Sequence, residues 1–206
     1  MNSISDTYRS IAAPAKGVYK ELGSKFLAFA YPVETEEEAK NILASVRKEY
    51  FDARHHCFAW RLGLTGEPYR LSDDGEPSGT AGRPVLDVLK GRNCSNLVLT
   101  ITRWFGGTLL GTGGLVKAYG GGAKKVLEEA EKQNAFSPLV EKTDFDFATD
   151  YSLYKIIKFA IKDFTLFDVT EDFSTEIKIK GKIKSDEFLV FSKKLKDLSN
   201  GKINLE

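Results

Sequence analysis

Glycine is distributed very unevenly along this chain, and its distribution limits what the chain can fold into. Of 18 glycines, 14 lie between Gly63 and Gly122, and only Gly181 and Gly201 follow. Glycine weakens helices and strands unless a positive φ or a close approach of another group requires it. The run RWFGGTLLGTGG at residues 103–114 therefore predicts a place where a phosphate, another chain or another part of the fold comes near the backbone.

The change in glycine content also predicts a domain boundary. Pro138 follows a helical pattern that ends near residue 133, and a proline shortly after a helix cannot continue it. We expect one domain over residues 1–137 and a second over residues 138–206. A chain of 206 residues is long enough for two small domains, each with its own core.

The pattern of apolar residues predicts that the first domain mixes strands and helices. Alternation over residues 16–33 indicates two strands around Gly23, and Thr35 is a good N-cap for a following amphipathic helix. The predicted helices of this domain span residues 35–50, 83–91 and 114–133, and its other strands span residues 55–63, 67–73 and 96–105.

The second domain has the predicted element order β-α-β-β-α-β, which is the ferredoxin-like pattern. Its last predicted strand is the segment KINLE at residues 202–206. The fold class of the whole chain is therefore α+β. The other predicted strands span residues 143–150, 165–173 and 174–183, and the predicted helices span residues 151–163 and 185–200.

Bulk composition favours a cytoplasmic protein. The chain has a net charge of +1 and two cysteines, Cys57 and Cys94, too few for a disulfide framework. The N-terminus lacks the basic and apolar regions of a secretory signal, and no apolar run approaches the length of a membrane span. Residues 54–125 nevertheless carry ten Lys and Arg against five Asp and Glu, a local positive excess.

The common phosphate-binding motifs do not match residues 103–114. A Walker loop needs a lysine directly after its last glycine, and here Gly111 is followed by Thr112. The dinucleotide fingerprint needs a further glycine at a fixed spacing, which is missing. Backbone amides at a helix start can still hold an anion, and Arg103 and Lys117 flank this one. The alternative is that the glycines only allow a strand and a helix to pack closely.

Two further groups of residues could carry chemistry. Asp73 and Asp74 could bind a divalent metal or act as acid and base, but they lie in a turn-forming sequence, and neighbours on a strand point opposite ways. His55 and His56 precede Cys57, and a closed zinc site would need more ligands than the chain offers nearby. We therefore expect a turn at the aspartates, no catalytic residues, no metal site and no cofactor.

The glycine-rich region also mixes basic and aromatic residues, a combination typical of proteins that bind single-stranded nucleic acid. Cations meet phosphates, and exposed aromatic rings stack on bases. The alternative is that the cations are merely solvated and the rings belong to the core. The aromatic residues are Trp60, Tyr69, Trp104 and Phe105, and the basic ones are Arg54, Arg61, Arg70, Arg83, Arg92, Arg103, Lys117, Lys124 and Lys125.

Two long strings in this region resemble the signature of the IMPACT family, also called the YigZ- or YvyE-like proteins. They are DDGEPSGTAGRPVLDVL at residues 73–89 and TRWFGGTLLGTGGLVKAYG at residues 102–120. Segments at residues 23–33 and 52–63 are similar to parts of the family that precede them, so the resemblance covers about residues 16–130. Trp104 stands where the family has a tyrosine, which keeps an aromatic ring.

The resemblance implies a fold for each domain. The first would share the β-α-β-α type fold of the second domain of a small-subunit ribosomal protein, of domain IV of elongation factor G and of small-molecule kinases. The second would be similar to the ferredoxin-like domain V of that factor. Eukaryotic members of the family regulate translation by competing for an activator of a starvation-response kinase, but they carry a different partner domain, so that activity does not transfer to this chain.

From the residues and the resemblance together we expect a non-enzymatic protein that takes part in regulating translation. Its expected partners are RNA, the ribosome or another protein associated with translation. We expect no binding to membranes and no specificity for DNA. The alternatives are an enzyme or small-ligand binder acting on a phosphorylated compound at the glycine-rich loops, and a protein-interaction module. The predicted anion- or nucleic-acid-binding residues are Arg103, Trp104, Gly106, Gly107, Gly113, Gly114, Lys117, Arg83, His56 and Arg61.

Overall fold

The computed structural model describes residues 8–205, and the chain divides into two compact units. The first unit ends at Leu139 and the second begins at Val140, two residues beyond the predicted boundary. Each unit combines an antiparallel sheet with helices, so the predicted α+β class is confirmed.

Within residues 8–139 the first unit forms a five-stranded sheet, a two-stranded sheet and three helices. The elements are β1 (Arg9–Ile11), β2 (Ala15–Glu21), β3 (Ser24–Pro32), α1 (Glu36–Glu49), β4 (His55–Arg61), β5 (Tyr69–Ser72), α2 (Gly82–Gly91), β6 (Leu97–Trp104), α3 (Gly111–Lys132) and β7 (Phe136–Pro138). The five-stranded sheet has the order β2-β3-β6-β4-β5, and every neighbouring pair is antiparallel. The remaining two strands, β1 and β7, pair with each other.

The five-stranded sheet buries both of its faces. On one face Phe26 and Ile101 pack with Leu86 of α2 and Tyr119 of α3. On the other face, α1 covers a smaller cluster around Trp60. Alternation along β6 explains the two layers, because successive side chains of a strand point to opposite faces.

Two glycines in the middle of α3 lie where the helix meets other side chains of the unit. The helix begins at Gly111, three residues before the predicted start, and stays helical through Gly120–Gly122. A Cβ atom on Gly121 would lie 2.8 Å from Cε2 of Tyr19, and one on Gly122 would lie 3.3 Å from Cδ1 of Ile101. These glycines therefore let the helix pack closely on the sheet.

A second close approach joins the loop after β6 to the turn between β2 and β3. A Cβ atom on Gly106 would lie 1.9 Å from the carbonyl carbon of Gly23. The Gly106 N–H donates to Oγ of Ser24 over 3.1 Å. Any larger residue at position 106 must push the two backbone segments apart.

Within residues 140–205 the second unit contains one three-stranded sheet and two α-helices. The elements are β8 (Lys142–Thr149), α4 (Tyr151–Ala160), β9 (Leu166–Phe173), β10 (Ile177–Lys184) and α5 (Phe188–Leu198). Two short 3₁₀ turns (Ile161–Asp163 and Ser185–Glu187) accompany the helices. The strand order β8-β10-β9 is that of a ferredoxin-like sheet without its fourth strand.

The predicted final strand does not form within the described residues. Side chains of α5 and of the residue after it hold the segment instead: Ser192 Oγ donates to the Leu205 carbonyl, and the Ile203 N–H donates to Ser199 Oγ. Ile203 is buried in the core of the unit. Burial of one apolar side chain and two side-chain hydrogen bonds thus replace strand pairing.

No helix in residues 8–205 has both the length and the apolar character needed to cross a bilayer.

We predict that Gly106→Ala destabilises the first unit by about 1–3 kcal/mol, the usual range for forcing extra volume into a packed site. Gly113→Ala serves as the matched control, because a Cβ there meets nothing within 4 Å. Urea unfolding followed by tryptophan fluorescence reports on this unit, since Trp60 and Trp104 are the two tryptophans of the chain. Equal stability of the two variants would contradict the proposed close contact with Gly23.

Candidate anion-binding cleft in the first unit

A cleft of about 650 Å³ opens at one end of the five-stranded sheet, where β6 ends and β4 begins. Four chain segments line it: residues 52–55, the pair Glu76 and Pro77, residues 103–105, and residues 109–112 with Leu115. Residues 103–105 and 109–112 of the segment singled out in the sequence therefore form one wall, with Gly111 as the glycine on it, and the loop after β5 forms another.

Arg103 lies at the floor of the cleft and is 7% exposed. Its Nη1 donates to Oε1 of Glu76 over 2.7 Å, and its Nη2 lies 3.4 Å from Oγ of Ser24. Its Nε is buried without a hydrogen-bond partner. The guanidinium also lies 5.8 Å from the ring centre of Phe105. Arg103 thus places a largely buried positive charge at the floor of the cleft, and its unpartnered Nε is shielded from solvent.

A chain of hydrogen bonds leads from Glu76 into the core. Tyr119 Oη donates to the same Oε1 atom of Glu76 over 2.8 Å, and the Cys57 thiol lies 3.3 Å from Tyr119 Oη and 3.0 Å from the Asp73 carbonyl. Burial raises the pKa of both Cys57 and Tyr119 well above their ordinary values. Both groups therefore stay protonated at neutral pH, and Cys57 is not an activated nucleophile.

The start of α3 lies on the wall of the cleft. Gly111 and Thr112 lie on its wall, no side chain caps the helix, and the first turn contains no acidic residue. The first amide groups of a helix have no partner inside the helix, and its N-terminus carries a partial positive charge. Gly111 has a φ of +66°, a conformation that glycine adopts without strain.

Aromatic and apolar side chains form the rim of the cleft. Phe105 is 56% exposed and Leu109 is 85% exposed. Trp104 is half-buried, donates from Nε1 to Asp52 Oδ2 over 2.8 Å, and has the Lys25 ammonium 4.8 Å from its ring centre. The rim therefore offers exposed ring and aliphatic surface beside the cationic floor.

The two histidines point to opposite faces of the sheet, and it is His55 that lines the cleft. His55 is paired across the strands with Arg103, and its Nδ1 lies 2.8 Å from the Asp74 carbonyl. His56 is buried on the other face, with Nδ1 3.1 Å from Thr102 Oγ1. Burial, followed by the nearby charge of Arg47, lowers the pKa of His56. His56, which the sequence prediction named, is therefore away from the cleft, whereas His55, which it did not name, lines it.

Asp73 and Asp74 build the turn, as the sequence favoured. The Asp73 carboxylate accepts from the backbone N–H groups of Gly79, Ala81 and Gly82. Burial alone would raise its pKa, but these three hydrogen bonds outweigh burial and lower it. The carboxylate of Asp74 accepts from the His56 N–H and from Arg47. Both carboxylates thus act as structural acceptors.

Several other predicted residues lie away from the cleft wall. Arg61 is buried at the far end of β4, where its guanidinium donates to the carbonyls of Gly66, Cys94 and Thr65. Arg83 is exposed on α2 and pairs with Asp87. Lys117 is exposed in the second turn of α3. Of the predicted glycines, Gly106 and Gly107 lie in the loop after β6, and Gly113 and Gly114 in the first turn of α3.

The sequence reasoning missed Glu76 and Tyr119. Both lie within the strings that carry the family resemblance, at residues 73–89 and 102–120. An acidic residue in a turn-forming sequence usually reads as solvent-exposed, and only the fold shows that Glu76 is buried against Arg103. The first string also carries Asp73, Asp74 and Asp87, so its sequence did not single out Glu76.

Comparison with known proteins identifies relatives along most of the chain. The family model described as the Impact N-terminal domain matches residues 22–127. The IMPACT family member YigZ of Escherichia coli is 36% identical over 196 residues, covering 94% of either chain. The IMPACT family member YvyE of Bacillus subtilis is 30% identical, covering 89% of this chain and 82% of the relative.

Solved structures add a match to the whole chain. A crystal structure described as that of a hypothetical protein has a TM-score of 0.71 and 32% identity, covering 97% of this chain and 98% of that one. A structure described as the two-domain translational regulator Yih1 has a TM-score of 0.35 and 23% identity over 63% of this chain, a value too low to indicate a shared overall fold.

The hydrogen bonds of Asp73 predict a pH-dependent stability. Because the folded-state pKa is lowered, the stabilisation is fully present above the ordinary value of 3.8 and is lost as the pH falls through the lowered value. Asp73→Asn places an amide donor against one of the three N–H groups, so we expect a loss of about 1–3 kcal/mol at pH 7. That loss should shrink near pH 3.

Urea unfolding followed by tryptophan fluorescence at both pH values measures the effect. Asp87→Asn is the control, because Asp87 forms an exposed ion pair with Arg83 on α2, and such pairs contribute little. A loss in Asp73→Asn that was the same at pH 7 and pH 3 would contradict the assigned role of the carboxylate.

Proposed function

The chain belongs to the IMPACT family, and on that premise we propose that it is a non-enzymatic, RNA- or ribosome-associated protein that acts in the regulation of translation. Eukaryotic members of the family are translational regulators. The match to the mouse protein IMPACT spans 43% of this chain and 29% of that protein. The family model for the Impact N-terminal domain matches residues 22–127, which belong to the first unit, and the cleft lies within that unit.

One observation carries the RNA proposal: the uncapped N-terminus of α3 and the buried guanidinium of Arg103 meet in a cleft with an exposed aromatic rim. Helix N-termini bind phosphate through their free amides and their dipole. Phe105 offers a face on which a base can stack, an interaction that tolerates any sequence. A phosphate and its neighbouring base would each find a matching surface.

The balance of charge limits how much nucleic acid the cleft can hold. Asp52 and Glu76 offset Arg54 and Arg103 along the wall, so the cleft lacks the strong positive field of proteins that follow a long phosphate backbone. Lys25 and Lys117 lie outside it and are exposed. These features favour a single nucleotide of an unpaired RNA segment, with its phosphate on α3 and its base against Phe105.

We predict that Thr112→Glu weakens binding of single-stranded RNA about tenfold, because it places a carboxylate where the phosphate would bind. The same change favours the helix dipole, so the fold should be at least as stable as the wild type. Loss of binding therefore cannot be attributed to unfolding. Fluorescence anisotropy with a labelled oligonucleotide at fixed salt measures the affinity.

Gln133→Glu is the matched control for that variant. It adds the same charge at the other end of α3, about 30 Å away for a helix with a rise of about 1.5 Å per residue. We expect it to bind RNA within about twofold of the wild type, because charges beyond a Debye length are largely screened. Equal affinity of Thr112→Glu and Gln133→Glu would count against a phosphate at the helix terminus.

A second candidate function is binding of a small phosphorylated compound, and the size of the cleft favours it. A volume of about 650 Å³ falls in the range of sites for small ligands. Titration calorimetry with nucleoside monophosphates and with an RNA oligonucleotide separates the two candidates. If a monophosphate binds and the oligonucleotide does not, the cleft accepts only free compounds and the small-ligand function is correct; if the oligonucleotide binds at least as tightly as the monophosphate, the RNA function is.

A further inference from the structure

We propose that His55 makes the cleft select ribose over deoxyribose, by accepting a hydrogen bond from a ribose 2′-hydroxyl. This inference rests on the proposed function, because it assumes that RNA enters the cleft. It assigns a specificity-determining role to a side chain that the sequence reasoning did not select. It follows from the hydrogen bonds of the imidazole and from its place opposite Arg103.

The tautomer of His55 follows from its hydrogen bond to Asp74. Nδ1 of His55 lies 2.8 Å from the carbonyl oxygen of Asp74. A carbonyl oxygen can only accept, so Nδ1 carries the hydrogen. In the neutral ring, Nε2 is then unprotonated and acts as an acceptor. No residue among those the structure describes donates a hydrogen bond to this atom.

The imidazole of His55 is oriented by a residue that is itself held in place. Asp74 is held on both sides, since its carboxylate accepts from the His56 N–H over 2.6 Å and from Arg47 over 2.7 Å. Asp74 also has a φ of +42°, a restricted backbone conformation for a residue other than glycine. The carbonyl that orients His55 is therefore fixed by the surrounding turn, and Nε2 is fixed with it.

The donors and acceptors near His55 determine which ligand group can reach Nε2. His55 and Arg103 are directly opposite on adjacent antiparallel strands, where Cβ atoms lie about 5 Å apart. The groups proposed to hold the phosphate, Arg103 and the amides at the start of α3, are donors only. The carboxylates of Glu76 and Asp52 also accept hydrogen bonds, Glu76 from Arg103 and Tyr119 and Asp52 from Trp104, but their negative charge opposes a phosphate bound next to them. Nε2 of His55 is a neutral acceptor, without a donor among the described residues, beside the phosphate donors.

The hydrogen-bonding groups of a ribonucleotide complement those of the cleft. A ribonucleotide carries phosphate oxygens, which only accept, close to a 2′-hydroxyl, which can donate. That pairing of an acceptor with a donor complements Arg103 and His55. A deoxyribonucleotide lacks the donor. Because His55 is only half-buried, a water molecule can donate to Nε2 in place of the missing 2′-hydroxyl. The expected preference for RNA over DNA is therefore the modest three- to tenfold that one neutral hydrogen bond confers.

The test compares three single-stranded oligonucleotides of one sequence at fixed salt: RNA, DNA with uracil in place of thymine, and 2′-fluoro RNA. The 2′-fluoro sugar removes the donor hydrogen without adding bulk. We expect RNA to bind about three- to tenfold more tightly than either of the other two. The comparison uses the unaltered protein, so it does not depend on whether a variant folds.

Two variants assign the preference to His55. His55→Phe keeps a ring but has no acceptor, and we expect it to bind all three oligonucleotides with the affinity that the wild type has for DNA. His55→Gln can place an amide oxygen near the position of Nε2, and we expect it to retain part of the preference. A preference for RNA that survives in His55→Phe would overturn the inference.

The outcomes separate this inference from the function on which it rests. If the protein binds none of the three oligonucleotides, the proposed RNA function is wrong and the inference is wrong with it. If it binds all three equally, RNA binding stands and the role of His55 is overturned. If 2′-fluoro RNA binds as tightly as RNA while DNA binds less well, sugar shape rather than a donated hydrogen bond sets the preference, and the inference is again overturned.

Discussion

The cleft depends on one buried carboxylate oxygen. Oε1 of Glu76 accepts from Arg103 of β6 and from Tyr119 of α3, so the loop after β5, a central strand and the longest helix of the first unit are joined at a single atom. Removing one partner of a buried ion pair leaves an unpaired charge and typically costs about 3–5 kcal/mol. The pair therefore fixes the floor of the site and forms part of its structural support.

Glycine acts in two ways around this support. Gly121 and Gly122 let α3 lie close to Tyr19 and Ile101, which brings Tyr119 within reach of Glu76. Gly111, by contrast, begins α3 with a positive φ and leaves its first amides on the wall of the cleft. For the glycines of residues 103–114 the sequence presented close packing and anion binding as alternatives. Gly106 packs against the backbone of Gly23, whereas a Cβ on Gly111 would meet nothing within 4 Å.

Periodicity predicted most elements of both units, because helices and strands bury one face each, but it could not predict distances along a strand. Arg61 and Arg103 lie on the same face of the sheet, yet the register pairs Arg103 with His55, six residues from Arg61, or about 20 Å at about 3.3 Å per residue. Alternation likewise showed that His55 and His56 diverge without showing which of them faces the cleft. Ile203 was apolar enough to suggest a strand, and its burial against α5 satisfies that pattern without pairing.

The most direct test of this account is an NMR titration of the ¹⁵N-labelled protein with a short single-stranded RNA. The account predicts the largest chemical-shift changes at the backbone amides of Gly111, Thr112 and Gly113 and smaller changes at those of Arg103 and Phe105. The amides of β8 and β10 in the second unit should not shift. If the largest shifts fell on β8 and β10 and those at the start of α3 stayed unchanged, the cleft would not be the site at which this protein meets RNA.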